Sequence, residues 1–158
     1  MLLNEVNTYI DKTLPDKGLI IIDGVDGSGK STIIQRYYAS QPVFKCVQDT
    51  GHYYEFNQDL LAEMFMSYKI MDRHPAICKC VYEDLDDDLS FEYLKDKFNR
   101  LNTIRDIDKI LLFINDRFIV GTYQEDFVLN NRKIIHDRYL MMYDIIKYNT
   151  NIEVFIVE

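Results

Sequence analysis

The segment Leu19-Ile20-Ile21-Ile22 is a continuous apolar run, mostly β-branched, with no polar position to face water. Such a run predicts a strand covered on both faces, as in a parallel sheet. Upstream, Leu2, Leu3, Val6, Tyr9 and Ile10 fall at helical spacing and predict a short amphipathic helix over 2–13, closed by the turn Pro15-Asp16-Lys17-Gly18. Downstream, Ile33, Ile34 and Tyr37 or Tyr38 give one apolar face to a helix over 31–39. Residues 43–47 read as a second strand. Leu60, Leu61, Met64, Phe65 and Tyr68 share one side of a helix over 57–71. Residues 72–89 have no clear period and contain Glu83-Asp84-Leu85-Asp86-Asp87-Asp88, so they read as exposed. Ser90 is placed to cap a helix to about residue 102, and Asp106 a longer one to about residue 129. Residues 133–136 read as a third strand, 138–148 as a helix and 152–157 as a fourth strand.

Strands thus alternate with helices, which implies βαβ units and a parallel sheet wrapped by helices. In that architecture ligands bind beyond the carboxyl ends of the strands. The expected organisation is one domain over 1–158, with a helical extension over 1–16 and an insertion over 72–105.

The first predicted strand runs directly into Gly24-Val25-Asp26-Gly27-Ser28-Gly29-Lys30-Ser31, which matches G-x-x-x-x-G-K-[ST]. Glycines let backbone N–H groups curl around phosphate oxygens without Cβ clashes, and the following helix points its N-terminus at the same oxygens. Lys30 is placed to reach the β- and γ-phosphates, and the Ser31 hydroxyl to ligate Mg²⁺. With a buried strand before the motif and a helix after it, the expected fold is an α/β, P-loop NTPase-type three-layer sandwich with a mostly parallel sheet of about four strands. Gly24, Asp26, Gly27, Ser28, Gly29, Lys30, Ser31 and Thr32 form the expected ATP·Mg²⁺ site. A GTP switch fits poorly, because no Asn-Lys-x-Asp motif and no suitably placed Asp-x-x-Gly occurs.

Composition narrows the class further. With 158 residues, 47% hydrophobic and 28% charged, the chain is long enough for a core and is not of disordered composition. A net charge of −8 argues against a wide nucleic-acid footprint, while leaving room for a basic pocket around one nucleotide. No apolar run reaches membrane-spanning length and the N-terminus does not read as a signal peptide. Three cysteines, Cys46, Cys78 and Cys80, fit a reducing compartment, so the expected location is cytoplasmic.

The string Ile22-Asp23-Gly24-Val25-Asp26-Gly27-Ser28-Gly29-Lys30-Ser31-Thr32 resembles the start of thymidylate kinases, which are P-loop nucleoside monophosphate kinases. Leu111-Leu112-Phe113-Ile114-Asn115-Asp116-Arg117 is similar to the family's Leu-Leu-Phe-x-x-x-Arg helix, and Lys133-Ile134-Ile135-His136-Asp137-Arg138-Tyr139 to its strand ending in Asp-Arg-Tyr. The resemblance covers roughly residues 17–40 and 107–158. It implies transfer of a phosphoryl group from Mg·ATP to a small-molecule nucleotide, dTMP before others. Phe113 and Arg117, four apart and so on one face if helical, would hold the base, with Arg138 and Tyr139 completing the substrate site. Asp137 would join Ser31 at Mg²⁺, and Lys30, Asp26, Asp137 and Arg138 would be catalytic. By spacing alone, a core Phe beside a surface Arg, a strand-terminal Asp-Arg ion pair and an Asp26 that accepts loop N–H bonds all remain open.

Two departures bear on activity. Residues 47–52, Val-Gln-Asp-Thr-Gly-His, lack the arginine with which the family grips the acceptor phosphate. With four strands counted, the fourth ends the chain, and the family's lid and fifth strand would be missing. A deoxynucleoside kinase, and a lid-less nucleotide-binding module without efficient catalysis, are the alternatives. A homodimer is left open. His74, Cys78 and Cys80, with Cys46 or His52, lack standard zinc spacing and read as ordinary side chains. Asp84-x-Asp86-x-Asp88 begins like a calcium loop but has Leu89 where glycine is needed, so it reads as solvated.

Overall fold

A computed structural model describes residues 1–46, 67–115 and 130–158. After a 3-10 turn at Leu3–Glu5, the described elements are α1 (Val6–Thr13), β1 (Ile20–Gly24), α2 (Lys30–Gln35), β2 (Val43–Lys45), β3 (Ile70–Asp72), α3 (Pro75–Tyr82), α4 (Phe91–Leu101), β4 (Lys109–Phe113), α5 (Arg132–Asn149) and β5 (Glu153–Val157). The five strands form one parallel sheet in the order β2-β3-β1-β4-β5. The apolar run of β1 is central, which is why it carries no solvent-facing position: all five residues are buried. Ile20 pairs with Ile70 on one side and Lys109 on the other, and Gly24 pairs with Phe113.

The period of two in each strand sorts the core into two layers. Ile20, Ile22, Ile70, Leu111, Phe113 and Val157 pack with Val6 and Ile10 of α1 and with Ile33, Ile34 and Tyr37. Ile21, Met71, Ile110 and Leu112 face the opposite way, onto Ile77, Leu94, Phe98, Tyr139, Met142 and Ile145. Helices therefore cover both faces, and the expected three-layer α/β class is the one observed.

The strand count is five where four were expected, and the difference has a physical origin. Ile70-Met71-Asp72 is too short to display a period of two and continues the helical spacing that precedes it. Ile110-Leu111-Leu112-Phe113 is a run buried on both faces, which periodicity alone does not separate from a helix. It is β4, and its entry is fixed by the buried Asp108, which accepts from the Leu19 backbone N–H (2.8 Å) and pairs with Arg105 (3.0 Å). Conversely, residues 133–136 are helical. Ile135, Tyr139, Met142 and Ile146 recur at helical spacing along α5, and all are buried.

The stretch 72–89 is not wholly exposed. His74 caps α3 by accepting the Ala76 N–H (3.1 Å), followed by proline at the first helical position, and Ala76, Ile77, Cys78, Cys80 and Val81 are buried. A histidine cap is outside the usual Ser/Thr/Asp/Asn set, so the start of α3 carries no ordinary signal. The acidic run after it is exposed, apart from Leu85. Ser90 caps α4 as expected. The strand expected as the fourth, over 152–157, is therefore β5, and residues 116–129 after β4 lie outside the described residues.

Candidate functional site

The loop between β1 and α2 opens at the carboxyl edge of the central strand. Gly24 has φ +143°, and a Cβ there would stand 2.1 Å from the Phe113 carbonyl oxygen. Only glycine lets β1 lie this close to β4, and the same carbonyl accepts the Val25 N–H at 2.8 Å. Gly27 (φ +75°) and Gly29 (φ +89°) are left-handed, so three of the chain's six glycines supply backbone that other residues rarely adopt.

Two side chains of this loop are buried without an ion pair or hydrogen-bond partner among the described residues. Lys30 is 6% exposed, and among the described residues no carboxylate stands within ion-pair distance of its ammonium. Burial, reinforced by Arg73, lowers its pKa to about 8, against the opposing fields of Asp26, Asp72 and Asp23. Ser28 is 3% exposed, and among the described residues its hydroxyl has no hydrogen-bond partner. Buried polar groups are ordinarily paired. An orphaned hydroxyl and a buried lysine without an ion pair among the described residues, two positions apart in one glycine loop, therefore fit a phosphate chain as the missing partner. Ser31 and Thr32 lie exposed on the first turn of α2.

The second half of the site comes from β3. Asp72 ends that strand, partly buried, with its pKa raised by desolvation and drawn back by Lys30. Arg73 follows with φ +69°, a strained value for a non-glycine residue and one often kept at functional positions. Its Nη1 approaches Asp23 (3.2 Å), the Gly24 carbonyl (3.0 Å) and the hydroxyls of Tyr82 (3.2 Å) and Tyr139 (3.0 Å). Its Nη2 donates to Asp26 at 3.0 Å. Asp23, fully buried, also accepts from the backbone N–H groups of Gly24 (2.8 Å) and His74 (3.0 Å), from the Cys78 thiol (3.5 Å) and from the Tyr139 hydroxyl (2.7 Å). Burial and the Asp23 carboxylate push the Tyr139 phenol well up, and burial pushes Tyr82 up to about 12, so both stay neutral hydrogen-bonding groups.

The structure therefore brings together the loop residues Gly24, Asp26, Gly27, Ser28, Gly29, Lys30, Ser31 and Thr32, and redistributes the rest. Asp137 is not at a strand end. It lies on α5, half-exposed, and pairs with Lys133 one turn earlier (2.9 Å). Arg138 is buried, and its guanidinium is spent on the carbonyls of Val81, Glu83, Asp84 and Asp87, closing the C-terminus of α3 and pinning the acidic loop. Phe113 ends β4 with its ring in the core, 1% exposed, rather than on a helix beside a base. Arg117 and residues 47–52 lie outside the described residues. Tyr139 does reach the loop, but from behind, through Asp23 and Arg73. Cys78 is engaged with Asp23, and His74 with Ala76 and Thr103.

Asp72 and Arg73 are the residues that sequence reading missed. The dipeptide Asp-Arg occurs at 72–73, 116–117 and 137–138. The last of these follows Ile134-Ile135 and precedes Tyr139, so it resembled the family's strand ending in Asp-Arg-Tyr and drew the assignment. The usable signal was Ile70-Met71 before Asp72 together with Pro75 after it, a strand end followed by a helix start.

No protein-family model and no curated protein matches the chain. Among solved structures it is similar to a thymidylate kinase from Ehrlichia chaffeensis, with a TM-score of 0.47 and 10% identity over 90% of this chain and 89% of that one. No described helix is long and apolar enough to cross a membrane.

Proposed function

We propose that the chain is an ATP-dependent kinase acting on a nucleoside monophosphate, with dTMP as the leading acceptor. The observation that carries this reading is the buried Lys30 side chain, without an ion pair among the described residues, and the orphaned Ser28 hydroxyl in the same loop of left-handed glycines. Both groups gain what they lack when phosphate oxygens enter.

Mg·ATP supplies the phosphoryl group, and the residues present fit it. The backbone of 24–32 would cradle the phosphates, with Lys30 neutralising them. Ser31 and Asp72 would hold Mg²⁺, a metal that commonly takes one or two protein oxygens and completes its shell with phosphates and water. Phosphoryl transfer asks for positioning and charge stabilisation more than for covalent chemistry. Arg73, with its Nη2 at Asp26, is placed to stabilise charge on the transferring group, and Asp26 to orient the acceptor. The duties expected of Asp137 and Arg138 thus pass to Asp72 and Arg73.

A coupled ADP-release assay with dTMP, other nucleoside monophosphates and thymidine tests the reading. Turnover with a monophosphate, abolished in Lys30→Ala, is expected. Turnover with thymidine alone would make the protein a nucleoside kinase, and none above the Lys30→Ala background would refute a kinase of either kind.

A further inference from the structure

The Arg73 guanidinium has two faces with different neighbours. Nη1 carries two N–H protons, and four acceptors stand around it: Asp23 Oδ1, the Gly24 carbonyl, Tyr82 Oη and Tyr139 Oη. This inner edge is saturated. Nη2 has Asp26, whose side chain is 34% exposed, so only the outer edge meets the mouth of the loop.

The cage around the inner edge is assembled from distant chain. Tyr139 comes from α5 and Tyr82 from the last residue of α3. Their rings meet edge to face at 6.1 Å, and the Arg73 guanidinium lies 5.6 Å from the Tyr82 ring centroid. Tyr139 has one proton and gives it to Asp23 at 2.7 Å, which leaves its lone pairs for Arg73 Nη1. Its hydroxyl therefore orients the carboxylate and the guanidinium together. It is fully buried, so it touches no ligand. A planar guanidinium gripped along one edge cannot rotate, and its remaining edge is held in one direction.

We infer that Tyr139, supported by Tyr82, is a positioning residue that locks the inner edge of Arg73 so that its outer edge faces the phosphoryl group. This rests on the kinase reading for its consequence, though not for its geometry. Misplacing a positioned group by about 1 Å can cost on the order of a hundredfold in rate.

The test has two arms, each run on wild type, Tyr139→Phe, Tyr82→Phe and Met142→Ala. Met142 is buried on the same helix and has no part in the cage, so its variant reports plain loss of packing. In the first arm, NMR of ¹⁵N-arginine-labelled protein follows the Arg73 guanidinium protons, assigned by their loss in Arg73→Lys. Slow exchange is expected in wild type and Met142→Ala, and at least tenfold faster exchange in Tyr139→Phe. In the second arm, kcat falls ten- to a hundredfold in Tyr139→Phe while KM for ATP stays within about twofold, and Tyr82→Phe shows the same split more weakly. Unchanged guanidinium exchange in a folded Tyr139→Phe overturns the inference. So does an equal effect in Met142→Ala. If wild type transfers no phosphoryl group, the kinase reading fails, and the exchange arm still decides whether Tyr139 positions Arg73. Should Tyr139→Phe not fold, Tyr82→Phe carries both arms.

Discussion

Arg73 donates to Asp26 at 3.0 Å although 47 positions separate them, so the end of β3 and the phosphate loop are joined at the mouth of the site. The pair is partly exposed, at 12% and 34% of the side chains. An Asp26 that orients the acceptor is needed more in transfer than in nucleotide binding. Asp26→Ala is expected to lower kcat/KM for the acceptor about a hundredfold, with ATP affinity within about threefold. Equal losses in both quantities, from paired kinetic and calorimetric titrations, would place Asp26 in the ATP site instead.

Lys30 holds a charge at a cost to the fold. Its pKa is lowered from 10.5 to about 8, so the folded protein binds fewer protons than the unfolded chain between those values. Stability linked to Lys30 therefore rises with pH through that window, and below pH 8 the buried ammonium costs about 3 kcal/mol. Lys30→Met is expected to stabilise the ligand-free protein at pH 7 by about 1–3 kcal/mol. That gain should fade above pH 10 as the wild-type lysine loses its proton. Nucleotide binding should be lost at every pH. Urea melts at pH 7 and 10.5 check the sign; a destabilised variant at pH 7 would mean that Lys30 is satisfied within the protein.

Burial lowers the His74 pKa from 6.5 to about 3, and its Nδ1 accepts the Ala76 N–H, so the ring caps α3 in neutral form. The stability this contributes is present above pH 6.5 and is lost as pH falls toward 3, at about 1.4 kcal/mol per pH unit. Asn at this position keeps a capping acceptor and does not titrate. His74→Asn is expected to flatten the stability profile between pH 6 and 4 by about one proton. Parallel wild-type and variant profiles would show that another group governs the acid side.

The sequence was most legible where one principle dominated. The apolar run of β1, the glycine loop and the Ser90 cap appear where patterning and motif placed them. The helix α5 was legible too, because Ile135, Tyr139, Met142 and Ile146 keep one period, yet Ile134-Ile135 was read locally as strand. The site failed to read through for a topological reason. β3 has three residues and no period of its own, and its pairing with Ile20–Ile22 on one side and Val43–Lys45 on the other reveals it as a strand. Arg73 is meaningful only once β3 lies beside β1, and the roles of Tyr82 and Tyr139 exist only in the folded core. The dipeptide itself does not separate Asp72-Arg73 from Asp137-Arg138, whose guanidinium instead satisfies four backbone carbonyls; the flanking Ile70-Met71 and Pro75 are the local difference.

The kcat for ADP release from Mg·ATP and dTMP in Arg73→Lys and Arg138→Lys tests that exchange of roles most directly. Arg138→Lys should lose about 2–4 kcal/mol of stability, because one ammonium cannot satisfy the same buried carbonyls. Assayed below its melting transition, it should keep kcat within about threefold of wild type. Arg73→Lys should stay folded under the same conditions and lose kcat at least a hundredfold, since a point charge cannot be gripped on one edge and aimed with the other. A folded Arg138→Lys that loses turnover while Arg73→Lys retains it would contradict the account.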